Sequence, residues 1–294
     1  METSLPRLRG FTVSARTFRF VAAANLAWLF LIVASGATVR LTGSGLGCEH
    51  WPGCNAGTQV LPTSYHGVVE FSNRVISGVA LFVSLGTWLA ARATHSLPRW
   101  VRWVTGLAVL GTLAEIPLGK ITVDHNLNPR LVGTHFVLSL VLLALAVVVV
   151  LAAWEVWSDR VPAWVRAGGL VVGLAGAVLV VTGTLATAAG PHSGSIAVPR
   201  VWSFRPAVWW HVRATAVFGI SFALLTIWLA AHGRRQLRAA LVVLGVLLVQ
   251  MVVGEVQYRT KLPWWLVLGH VSLAAAVWAS VVAFVALLFR SRMA

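Results

Sequence analysis

Several residues able to do chemistry stand at the starts of long apolar stretches: Glu70, Asn73 and Arg74 in one, His135 in another, His211 and Arg213 in a third, His270 in a fourth. An ionisable side chain at membrane depth is costly, so each is a functional candidate by default. A single buried histidine is ordinarily an imidazole bonded to a carbonyl. His211 and His270 are different because they fall in the same half of the chain at matching depth. Two facing imidazoles in a four-helix bundle form an axial grip on a haem iron. A zinc or copper centre would want a third or fourth N, S or O ligand nearby, and none stands out in that half. In the other half His135 matches His270, but its partner position holds Asn73, a poor iron ligand, with Glu70 one turn earlier. Two imidazoles saturate an iron and suit electron transfer. One imidazole leaves an open side, here with a carboxylate close by for proton handling.

Arg74 and Arg213 have three readings: charge-assisted donors to haem propionates, pairing with Glu70, or snorkelling. Glu115 and Glu255 lie near the ends of their apolar runs and are expected to pair with Lys120 or Arg259 rather than catalyse. His50, His66, His125 and His192 fall in or beside loops on one side and are expected to be solvated, and His95 and His232 belong to loops on the other. The only two cysteines, Cys48 and Cys54, share one loop. A disulfide, a pair of metal ligands and two unpaired thiols are all open to them. Their number and the side on which the loop falls favour the bond, and spacing alone decides nothing.

The elements that position these residues must be membrane helices. Of the residues, 58% are hydrophobic and 11% charged, against roughly 25% charged in a soluble domain. With a mean hydropathy of +0.83, there is too little polar surface for a water-soluble enzyme or a disordered chain. Apolar runs at about 20–39, 67–91, 101–119, 131–153, 165–187, 208–231, 239–257 and 264–289 each reach or approach the ~20 residues that cross a bilayer. The fold class is therefore all-α integral membrane protein with eight transmembrane helices. Arg7, Arg9, Arg16 and Arg19 precede the first run with no convincing cleavage site after it, so the start does not read as a cleavable signal peptide.

The formal charge of +15 would suggest nucleic-acid binding in a soluble protein, but here the cations sit in short loops. One side collects Arg7, Arg9, Arg16, Arg19, Arg92, Arg99, Arg102, Arg160, Arg166, Arg234, Arg235, Arg238, Arg290 and Arg292. The other has half as many: Arg40, Lys120, Arg130, Arg200, Arg205, Arg259 and Lys261. That bias places both termini in the cytoplasm and the cysteine loop outside, where a disulfide is stable. The bilayer is the partner, with anionic lipid at the basic loops; nucleic acid is not. Trp100, Trp103, Trp164, Trp209, Trp210, Trp264 and Trp265 lie at run ends, as interfacial rings do.

Sliding the chain on itself by 135 residues superposes Gly119 on Gly254 and His135 on His270. A shift of 138 places Asn73 on His211, and one of 147 places Gly36 and Gly43 on Gly183 and Gly190. The chain thus reads as two pseudo-symmetric four-helix bundles, residues 1–155 and 156–294. Equivalent positions fall on the second and fourth helix of each, roughly 5–10 Å below one surface at 1.5 Å per residue.

These motifs resemble the haem A synthase family of bacterial eight-helix membrane proteins. The resemblance is carried by the loop from Arg40 to Asn55 with its Cys48-Glu-His-Trp-Pro-Gly-Cys54 core, by Glu70-Phe-Ser-Asn73-Arg74, by Asn126-Leu-Asn-Pro129 followed by His135, and by His211 and His270. It covers nearly the whole chain. It implies oxidation of the ring D methyl group of haem O to a formyl group by successive hydroxylations, giving haem A for terminal oxidases. It further implies a haem b cofactor ligated by His211 and His270, Glu70 as the essential carboxylate, His135 as a ligand of the substrate-side haem, and Cys48 and Cys54 as the loop pair. The implied partners are the haem O substrate, a haem O synthase and an electron-transfer protein. Many members carry His where this chain has Asn73. The competing readings are a bis-histidine membrane electron carrier, which needs no Glu70, and a repeat-built transporter using His and Glu as a proton relay.

Overall fold

Each apolar run becomes one helix. The computed structural model describes residues 12–55, 61–192, 194 and 202–290, so Arg7, Arg9, Arg200 and Arg292 lie outside the described residues. The helices are α1 (Ala15–Leu41), α2 (Tyr65–Ala93), α3 (Arg99–Asp124), α4 (Pro129–Ala153), α5 (Ala163–Ala189), α6 (Phe204–Ala231), α7 (Gln236–Arg259) and α8 (Trp264–Phe289). All eight are long and apolar enough to cross a membrane. All but α8 start or end two to five residues beyond their apolar run. Backbone hydrogen bonding must continue until water can replace it, so the apolar run marks only the part of the helix in hydrocarbon.

The ends carry local signals. The side chains of Ser14 and Ser64 accept from the Thr17 and Gly67 amides at the starts of α1 and α2, and Asn128 caps α4 with Pro129 in its first turn. Pro98, Pro162 and Pro263 immediately precede α3, α5 and α8.

Helices α1 to α4 close a ring in which each packs on the next and α4 returns to α1. Helices α5 to α8 repeat the arrangement, but α6 and α7 touch only lightly where α2 and α3 pack closely. The rings meet through α1, α4, α5 and α8. Leu29, Val33, Leu140, Leu143 and Ala146 pack there with Ala275 and Ala279. The second ring is filled by Phe218, Phe222, Leu229, Val243, Val281 and Phe284. The end of the first ring near the termini is filled by Phe18, Ala91, Val101 and Val149. Large apolar side chains such as Phe82, Trp103, Leu174 and Leu224 point outward and stay exposed, as lipid-facing residues do.

At the end of the bundle bearing the cysteine loop, hydrogen bonds tie the rings together. Arg40, at the end of α1, donates to the Thr187 carbonyl (2.8 Å) and the His192 carbonyl (2.9 Å) beyond α5. The Gly45 amide donates to the Gly194 carbonyl (3.2 Å).

Candidate functional site

Four positions on the even-numbered helices each lie against a glycine on the helix before. His211 on α6 faces Gly183 on α5, and His270 on α8 faces Gly254 on α7. Asn73 on α2 faces Gly36 on α1, and His135 on α4 faces Gly119 on α3. These pairings are the ones the sequence offsets superpose, so the repeat is a repeat of side-chain seats. In the second half the seats are tight: a Cβ at Gly183 or Gly254 would fall 2.9 Å from Cε1 of the imidazole. Any larger residue there would push the ring away.

The two imidazoles of that half stand with centroids 6.4 Å apart and planes at 83°. Two metal–nitrogen bonds of about 2 Å, plus the distance from each nitrogen to its ring centre, bring the centroids of trans imidazoles to roughly 6 Å. That spacing would accommodate one iron between the two rings. Other features also fit a haem: the glycine seats, the light contact between α6 and α7, and a buried His270 Nδ1 with no hydrogen-bond partner among the described residues. Thr182 Oγ1 lies 3.4 Å from His211 Nδ1 and Gln250 Nε2 3.2 Å from His270 Nε2. Among the described residues no three His, Cys, Asp or Glu side chains converge as a metal-ligand set, so nothing there adds support for a zinc or copper centre.

The first half fills the same frame with other chemistry. Asn73 Oδ1 accepts from Ser35 Oγ (2.8 Å), and Ser35 stands 147 residues before Thr182. His135 Nδ1 is in direct contact with Glu115 Oε2, while Glu115 Oε1 accepts from Ser139 Oγ (2.7 Å). This corrects the expected pairing of Glu115 with Lys120, whose ammonium pairs with Asp124 one turn on (2.5 Å). The reason is reach: α4 packs against α3 and brings His135 onto the carboxylate, while Lys120 lies beyond it near the helix end. Glu255 does pair with Arg259 (2.5 Å).

Glu70 is buried (4% exposed) at the roof of this half. Its Oε2 accepts from the amides of Gly47 (2.7 Å) and Cys48 (2.9 Å), and its Oε1 meets Arg74 Nη2 (2.5 Å). Arg74 also donates to the carbonyls of His50 (2.7 Å) and Gly53. Of the three readings for Arg74, the structure shows the Glu70 pair, extended into a clamp on the loop. The loop it grips is closed by a Cys48–Cys54 disulfide. Gly47 lies directly on the backbone of His66 and Gly67, leaving no room for a Cβ. That close approach lets its amide reach Glu70.

Arg213 lies over the Trp209 ring, a cation–π contact with the side chain one turn earlier on α6. Of the histidines expected to be solvated, two are engaged: His66 Nδ1 lies 2.9 Å from Ser44 Oγ, and His192 Nε2 lies 2.9 Å from the Leu262 carbonyl. His125 and His232 remain exposed, each against a carbonyl one turn earlier (2.9 Å). Sequence reasoning missed the Glu115–His135 contact and the Arg40 tether.

Residues 19–66 match the family model of COX15-CtaA, cytochrome oxidase assembly protein. A Heme A synthase from an Exiguobacterium species is 26% identical over 254 residues, 82% of this chain and 80% of its own. A Heme A synthase from Geobacillus kaustophilus is 31% identical over 113 residues, 36% of this chain and 33% of its own. A protein from Thermus thermophilus named protoheme IX farnesyltransferase is 29% identical over 282 residues, 86% of this chain. The chain spans only 45% of that Thermus protein's length.

Proposed function

We propose that this chain, a relative of the haem A synthases, oxidises the ring D methyl group of haem O to a formyl group, giving haem A. In this reading the second half holds a haem b between His211 and His270, and the first half receives the substrate haem at His135. The observation that carries it is the imidazole pair at 6.4 Å, each ring seated on glycine. A bound iron porphyrin supplies one-electron and oxygen chemistry. The residues of the chain do the rest. His211 and His270 would hold the haem b iron, and two imidazoles would leave it little capacity to bind anything else. His135 would hold the substrate iron, and Asn73, an amide fixed by Ser35, would offer it no second strong ligand.

Glu70 has two tasks in this reading. With Arg74 it clamps the disulfide loop over the first half, which excludes water, and its buried carboxylate is placed to accept a proton there. The electron-carrier alternative needs neither the clamp nor the difference between the halves. The excess of basic residues on the terminal side supports a topology with both termini cytoplasmic and the disulfide loop outside. The match to 45% of a longer protein named protoheme IX farnesyltransferase supports a partner enzyme that makes the prenylated substrate. An electron-transfer protein is the second partner.

The test is co-expression with a haem O producer, followed by extraction and chromatography of the haems. Haem A should appear only when this chain is present. Haem O left unchanged beside a protein that carries haem b would support the electron carrier instead.

A further inference from the structure

We infer that Glu115 is a positioning residue that orients and electronically tunes His135 as an iron ligand. The corresponding Gln250 gives the second haem a weaker imidazole donor. The inference rests on the reading that His135 ligates the substrate haem. Three pairs share one offset of 135 residues: Glu115 with Gln250, Gly119 with Gly254, and His135 with His270. In both halves the side chain at the first of these positions reaches the histidine at the last. The contact is made by a carboxylate on Nδ1 in the first half and by a neutral amide on the other ring nitrogen, Nε2, in the second.

The burial of Glu115 needs an explanation. Its side chain is 13% exposed, Oε2 is wholly buried, and no Lys or Arg among the described residues pairs with it. A carboxylate at membrane depth is costly unless something compensates it. The compensation present is one ring nitrogen of His135, together with the Ser139 hydroxyl on the other oxygen. A ring nitrogen held by a carboxylate fixes the tautomer, leaves Nε2 free for a metal, and makes the imidazole a stronger donor. A stronger donor stabilises the oxidised iron. The neutral amide of Gln250 cannot do this to the same degree. One residue per half thus gives the two histidines different donor strengths and the irons they would hold different potentials.

The experiment uses full-length protein loaded with ferric haem O, with each haem followed by spectroelectrochemical titration and electron paramagnetic resonance. In E115Q the midpoint potential of the first-half haem should rise and its ligand-field signal shift, while the His211–His270 signal stays unchanged. Its affinity for haem O should fall about tenfold. Q250E should move the second-half potential down and leave the first half alone. E115D, which keeps the charge, should restore much of the first-half potential. If E115Q is too unstable to isolate, E115D and Q250E still decide the question. An unchanged first-half potential in fully loaded E115Q, or an unchanged second-half potential in Q250E, overturns the inference. A wild-type protein whose only haem signal survives H135A would overturn the first-half reading itself, and the inference with it.

Discussion

In the second half of this molecule two imidazoles press against glycine, and a Cβ at Gly183 or Gly254 would come within 2.9 Å of a ring. In the first half the matched seats leave nearly an ångström more, 3.9 Å from Gly36 to Asn73 and 3.7 Å from Gly119 to His135. The first half also carries what the second lacks: a buried carboxylate on its histidine, and a disulfide loop clamped over it by Glu70 and Arg74. Tight seats with two strong ligands suit a group that stays. Looser seats with one strong ligand under a closed roof suit a group that enters, reacts and leaves. One helical frame can therefore be given two tasks by a few substitutions at matched positions.

The comparison breaks first at the axial ligands. His211→Ala or His270→Ala should abolish or strongly perturb the low-spin bis-imidazole spectrum, and an unchanged spectrum in both variants would refute a haem b there. Next in size is Glu70→Gln, which removes the charge opposite Arg74 while keeping the size and one acceptor. Membrane abundance and haem b should be normal and haem A nearly absent, as read by chromatography of extracted haems; wild-type haem A yield would leave Glu70 a clamp and nothing more. A third variant sharpens the contrast between the halves. Asn73→His supplies the second imidazole and should turn a high-spin or mixed-spin substrate haem low-spin, with the His211–His270 signal undisturbed. Two low-spin haems already present in the unmodified protein would show that another group fills the sixth position. The smallest effects come from the seats. Gly183→Ala or Gly254→Ala should weaken haem b retention about tenfold, an effect of the size seen when the support of a metal ligand is lost. Gly36→Ala and Gly119→Ala should change little, because 3.7–3.9 Å is ordinary contact. Equal losses in all four would mean that the seats do not distinguish the halves.

The helices were readable from the sequence because hydropathy over twenty residues is a local property, and span length is set by the bilayer rather than by the rest of the fold. The matched glycines and histidines were readable too, since one offset lines up Gly119 with Gly254 and His135 with His270. Contacts between helices were harder. Glu115 reads as a partner of Lys120 because both lie on one helix five residues apart. What decides its partner is the packing of α4 on α3, which no local pattern encodes. The offset of 135 that pairs Glu115 with Gln250 was the one signal able to flag it. Arg74 shows the same limit: its role depends on where loop carbonyls 21 to 24 residues away in the sequence come to rest.

The Arg40 tether has a consequence for how the protein is made. The carbonyls of Thr187 and His192 that receive Arg40, and the Gly194 carbonyl that receives Gly45, are synthesised roughly 150 residues after the loop they hold. A ribosome delivering this chain into the membrane releases the disulfide loop well before α5 exists. The loop can fold over its own four helices, meeting Glu70 and holding His66 through Ser44, but the carbonyls that receive Arg40 and Gly45 do not exist until the second half begins to insert. The first half is therefore completed only once the second has started to arrive, so a nascent chain stalled before α5 would present its first four helices without the bonds that Arg40 and Gly45 make to the second half.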